Sequence, residues 1–106
     1  MNNSFKTISP IDNSVYLERN YNDNIDEILE KSVKAQIEWS NIKISERVSI
    51  LKNFVEDFLS REKEIVEQIS WQIGRPISQA PSELKGFKER AEYMLSIAEE
   101  KLSVIN

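Results

Sequence analysis

Apolar residues recur along this chain in two rhythms, and the change falls near residue 22. Before it, Phe5 to Ile8 and Val15 to Tyr21 have the short, β-branched and aromatic character of strands, joined through Ser9-Pro10-Ile11-Asp12-Asn13-Ser14. Pro10 presets its own φ, and Asp12 and Asn13 tolerate the left-handed backbone of a tight reversal. This predicts a hairpin or extended arm over residues 1–22. A two-stranded ribbon is at best marginally stable alone in water, so this one needs a surface to lie against.

Beyond residue 22 the spacing becomes three and four. Ile25, Ile28, Leu29, Val33 and Ile37 share one face, with Glu30, Lys31, Lys34 and Glu38 on the other, which predicts an amphipathic helix over 24–41. Asn24 is its expected cap, with Glu27 three residues on as the second half of a capping box. Ser45 is placed to cap a second helical stretch over 45–73, in which Val48, Leu51, Phe54 or Val55, Phe58, Ile65, Ile69 and Ile73 recur. The charged cluster Ser60-Arg61-Glu62-Lys63-Glu64 interrupts that rhythm and favours a break between two consecutive helices. Gly74 offers a left-handed cap, and Pro76 cannot continue the helix.

A last helix is expected over 78–105, starting at Ser78 so that Pro81 falls in the first turn, where a missing N–H is no loss. Leu84, Phe87, Ala91, Met94 or Leu95, Ala98, Leu102 and Ile105 form its stripe. The fold class is therefore mainly α: an N-terminal hairpin or arm followed by three to four amphipathic helices.

Composition narrows what such a fold can do. At 106 residues the chain fits a single domain, and 40% hydrophobic with 30% charged residues is too apolar for a disordered tail. No apolar run approaches the roughly 20 residues of a membrane span. The net charge of −4, with Lys and Arg interleaved among Asp and Glu, counts against a nucleic-acid partner. The stretch Met1 to Thr7 has neither the basic start nor the apolar core of a signal peptide, so the expected location is cytoplasmic.

The chain contains no Cys and no His, which removes disulfides, thiolate nucleophiles, imidazole bases and nearly all zinc sites. It has no glycine-rich phosphate loop, since Gly74 and Gly86 are its only glycines. Glu27-Glu30 and Glu99-Glu100 are paired acids at helix-surface positions beside lysines, where solvation is their ordinary role. Trp39 and Trp71 could form a stacking platform, but packing is the commoner use of buried tryptophan. No residue is assigned a catalytic, cofactor-binding or metal-binding role.

Several short motifs occur in a telling order. Ser9-Pro10-Ile11-Asp12-Asn13-Ser14-Val15 is similar to an opening hairpin turn, usually Asn-Pro-x-x-Gly-x-x, with Ser9 in the Asn place and Asn13 in the Gly place. Ala35-Gln36-Ile37-Glu38-Trp39 matches an Ala-x-x-x-Trp helix end, and Glu46-Arg47-Val48-Ser49-Ile50-Leu51 a Glu-Arg-x-x-x-Leu helix start. Gly74-Arg75-Pro76 matches a Gly-Lys-Pro or Gly-Arg-Pro turn, and Glu83-Leu84-Lys85-Gly86 stands in the place of Glu-Val-x-Gly. Together they span almost the whole chain, which resembles the N-terminal part of the aldehyde dehydrogenase superfamily.

The resemblance implies a piece of an NAD(P)-dependent enzyme that oxidises aldehydes to carboxylic acids through a cysteine thiohemiacetal and thioester. The family's nucleophilic Cys, general-base Glu, oxyanion-stabilising Asn and Rossmann phosphate loop lie downstream of the matched region. The fold is then a partial one without the Rossmann sheet, residues 1–106 forming one N-terminal segment. This chain alone is expected to bind neither NAD nor NADP and to be inactive. Phe87 is the position implied to face the substrate tunnel of a complete enzyme.

Apolar faces shaped to cover an absent sheet seek partners. A homo-oligomer, formed through the last helix or the second, or a separately encoded remainder of the enzyme is expected. The alternative function is a stand-alone helical oligomerisation or protein-binding module derived from the same scaffold.

Overall fold

The computed structural model describes residues 3–105. In chain order the elements are β1 (Ser4–Ile8), β2 (Val15–Asn20), α1 (Ile25–Ser40), α2 (Ile44–Ser60), α3 (Glu62–Ile73) and α4 (Pro81–Lys101). The fold is mainly α, and among the described residues the one sheet is the antiparallel hairpin β1–β2. The chain forms two compact units: the hairpin segment through Asp23 with Arg61–Lys85, and Asn24–Ser60 with Gly86–Asn106.

In the first unit, Ser4 pairs with Asn20, Phe5 with Arg19, Lys6 with Glu18 and Thr7 with Leu17; a register shift then sets Ile8 opposite Val15. The reversal is closed by Ser9 N–H to the Ser14 carbonyl (2.8 Å) and Asn13 N–H to the Ser9 carbonyl (2.9 Å). Asn13 has φ 62°, so it does take the left-handed backbone for which glycine is the usual choice.

The ribbon finds its surface at the end of α3. That helix stops on Gly74, at φ 75°, whose N–H bonds to the Ser70 carbonyl. Pro10 lies so close that a Cβ on Gly74 would sit 2.9 Å from its Cγ. The Ser9 hydroxyl donates to the Trp71 carbonyl at 2.6 Å, and the Tyr16 ring stacks on Trp71 with centroids 6.3 Å apart and planes within 8°. Val66, Ser70, Ala80 and Leu84 are buried in this unit with Ser9.

The second unit contains α1, α2 and the larger part of α4. Val48 and Val55 are its buried residues on α2, so of Phe54 and Val55 the inward position belongs to Val55. On α4, Leu95 is half-buried and Met94 exposed. By contrast, α1 buries no residue at all, although its apolar periodicity is the most regular in the chain.

One cap bond and three helix boundaries depart from the sequence reading. Asn24 stands at the cap of α1 but makes no side-chain cap bond, because its φ −105°, ψ 41° lies outside the extended region from which a cap side chain reaches the first amides. Ser45 sits inside α2, which opens one residue earlier with Arg47 N–H on the Lys43 carbonyl. Ser78 does not open α4: the Pro76 carbonyl gathers the amides of Gln79 and Ala80 into a separate turn, and the helix begins at Pro81. It ends at Lys101, leaving Ile105 outside the stripe and 96% exposed. The expected break in the second helical stretch is present at Arg61, between α2 and α3.

Candidate functional site

Phe87 projects from α4 in the second unit, and its ring meets Phe58 of α2 at 4.8 Å with a 54° tilt. Phe58 continues the row to Phe54 at 6.1 Å. Tilted contacts of this kind suit the positive edge and negative face of aromatic rings. Phe87, Leu51, Val55, Ala91 and Leu95 line a shallow apolar groove of about 210 Å³. That is below the roughly 300–1,000 Å³ of small-molecule sites, and it presents no polar group to orient a ligand. Its chemistry is limited to covering aliphatic or aromatic surface.

Trp39, the half-buried last aromatic of α1, lines a second apolar groove of about 170 Å³ with Val48, Leu51 and Leu102. Arg47 lies beside it and donates from Nε to the Ile42 carbonyl at 3.0 Å, tying the α1–α2 connection to the first turn of α2. Trp71 in the first unit is committed to Tyr16 and, through its carbonyl, to Ser9. Both tryptophans therefore pack against the fold.

A larger hollow, about 590 Å³ and open to water, lies in the first unit between Val66, Ile77 and Pro81, with Glu62, Lys63 and Glu67 at its rim. These three charged side chains are exposed, and no nucleophile–base pair converges there. Nearby, the Arg75 guanidinium is held by Glu83 at 3.0 Å and donates to the Ser82 hydroxyl at 3.0 Å, which braces the turn between α3 and α4.

The paired acids stay apart from any reaction geometry. Glu27 bridges Lys31 at 2.9 Å, Glu100 meets Lys101 at 3.6 Å, and Glu30 and Glu99 are exposed. Among the described residues no three carboxylates gather to hold a metal ion. The Asp12 carboxyl is held below its ordinary 3.8 by hydrogen bonds from the Ser14 hydroxyl and then from the Ser14 N–H. That is the chemistry of a stabilised turn.

Sequence reasoning missed two serines. Ser9 is fully buried, and Ser70 is buried with a hydroxyl that has no hydrogen-bond partner among the described residues. Ser70 lies four residues after Val66, so it shares the inward face of α3, but a polar residue carries no weight in an apolar pattern.

The first unit thus seats a hairpin on a helix end, and the second carries amphipathic helices with two apolar grooves. A model of the aldehyde dehydrogenase family matches residues 1–104, and the chain belongs to that family. Searches of curated proteins and of solved structures return no match. Among the described residues no helix is long and apolar enough to cross a membrane.

Proposed function

We propose that this chain is the N-terminal helical segment of an NAD(P)-dependent aldehyde dehydrogenase and contributes framework, while the reaction is carried by residues outside it. The complete enzyme oxidises an aldehyde to a carboxylic acid. Two observations together carry the reading: the family match covers residues 1–104, and the 106 residues contain no cysteine. The covalent thiohemiacetal of that chemistry needs a thiolate, so its sulfur has to come from elsewhere.

Within this reading residues 1–106 act as one segment, and the groove around Phe87 becomes part of the substrate-tunnel wall. Its apolar lining suits that role, since a wall excludes water and supplies shape without taking part in bond making.

The test pairs two measurements. Calorimetry with NAD+ and NADP+ on this chain alone is expected to show no binding, and no reduced cofactor should form with aldehydes. Co-expression with the cofactor-binding and catalytic portion of a family enzyme is expected to give a co-purifying, active complex. Turnover by the chain alone would overturn the proposal, and so would a catalytic portion that gains neither association nor activity from it.

The exposed apolar face of α1 supports a second reading, a stand-alone oligomerisation or protein-binding module. Under that reading the chain associates without any catalytic portion present.

A further inference from the structure

Packing in the second unit is shared unevenly among its helices. On α2, Val48 and Val55 are buried, and Phe58 meets Phe87 of α4 at 4.8 Å. On α1 every residue except Trp39 is exposed, Leu29, Val33 and Ile37 by 57%, 61% and 59%. Burial of an amphipathic face is what stabilises most helices in proteins, and α1 lacks it.

The local supports of α1 are few. Asn24 makes no side-chain cap bond, and no basic residue stands in the last turn. The Ser32 hydroxyl bonds back onto the Ile28 carbonyl at 2.8 Å, an arrangement that slightly weakens a helix interior. Asp26 and Glu27 suit the first turn, and Glu27 bridges Lys31, but an ion pair this exposed adds little. At 16 residues α1 is barely longer than the about 12–15 below which an isolated helix is marginal in water.

Its two ends differ. At the C-terminal end Trp39, Ile42 and Ile44 are half-buried, and the Arg47 Nε bond to the Ile42 carbonyl fixes the connection to α2. At the N-terminal end residues 21–24 are all exposed.

We infer that α1 is an arm that opens by itself: residues 25–38 lose and regain helical structure while α2 stays folded, and opening stops at the hinge formed by Trp39 and the Arg47 bond to Ile42. Segments with few buried contacts open at a free energy well below that of the whole fold. The apolar stripe of α1 exists as a face only while the arm is closed. This concerns the 106-residue chain by itself and does not depend on the proposed catalytic context.

Amide hydrogen exchange of the whole chain, followed by NMR, tests the inference. Amides of residues 29–38 are expected to be protected, but about tenfold or more less than those of residues 52–58 in α2. Urea below the unfolding transition should hasten exchange in α2 and barely change it in α1, because opening α1 uncovers little new surface. Val55→Ala, which weakens the packing of α2, should likewise hasten α2 and leave α1 as it was.

Equal protection of the two helices overturns the inference, and so does exchange in α1 that quickens in step with α2 under urea or Val55→Ala. An α1 without any protection would be an unfolded segment rather than an opening one, and overturns it too.

Discussion

Ser9 and Trp71 are 62 positions apart in the chain, yet the Ser9 hydroxyl donates a 2.6 Å hydrogen bond to the Trp71 carbonyl. That carbonyl belongs to the last turn of α3, where the helix has no amide of its own to offer. The hairpin thus supplies a missing helix partner while gaining the support a lone ribbon lacks. Replacing Ser9 with Ala leaves a part-buried carbonyl without its donor, and also removes the acceptor of the Ile11 N–H at 3.3 Å. The expected loss is about 1–3 kcal/mol in urea unfolding, with Trp71 emission shifting to the red as Tyr16 leaves its face.

Gly74→Ala tests the other half of the same junction. A left-handed backbone costs a β-carbon roughly 1–2 kcal/mol, and here the new carbon also meets Pro10 at 2.9 Å. Combining it with Pro10→Ala removes the ring carbon in the way, so the Gly74→Ala penalty measured in that background should fall to the backbone part alone. Equal penalties in both backgrounds would show that Pro10 yields freely.

Asp12 gives the hairpin a pH dependence of known sign. The folded carboxyl binds its proton less readily than the unfolded one, because the ionised form accepts from the Ser14 hydroxyl and N–H. Its stabilising effect is complete above the ordinary value of 3.8 and disappears as pH falls through the lower folded value. A carboxyl NMR titration should show Asp12 titrating below that ordinary value, and Ser14→Ala should move it upward.

Phe87→Ala separates packing from surface. Its ring is half-buried against Phe58, so the expected cost is about 1–3 kcal/mol, below the roughly 3–5 of a fully enclosed aromatic. Met94→Ala, at a residue 62% exposed on the same groove, should stay within about 0.5 kcal/mol. Denaturant midpoints that coincide for the two variants would show that Phe87 contributes no more than a surface side chain.

What was legible in the sequence follows from what periodicity encodes. Spacing of three and four located α1 and α2, and residues with special backbone preferences marked Asn13 and Gly74 as left-handed turns. Depth is different. The regular stripe of α1 stays in water, while Ser9 and Ala80 are 0% exposed, because burial depends on which distant segment arrives rather than on local apolar content. The start of α4 was misplaced for a related reason: Ser78 has the chemistry of a cap, but the Pro76 carbonyl had already drawn the neighbouring amides into another turn. At the site, Phe87 was found as an aromatic on a stripe, whereas its pairing with Phe58 needed two helices brought side by side.

The docking of the ribbon onto α3 also orders events in time. During synthesis the hairpin strands leave the ribosome first, but their support arrives only once Trp71 and Gly74 have emerged. The intervening residues must be made and the long loop closed before either end of the contact is rewarded. Until then β1 and β2 remain a nascent ribbon with both edges unprotected, so a ribosomal pause while Trp71 is still inside the exit tunnel prolongs its exposure to chaperones and aggregation, whereas a pause after Gly74 has emerged does not.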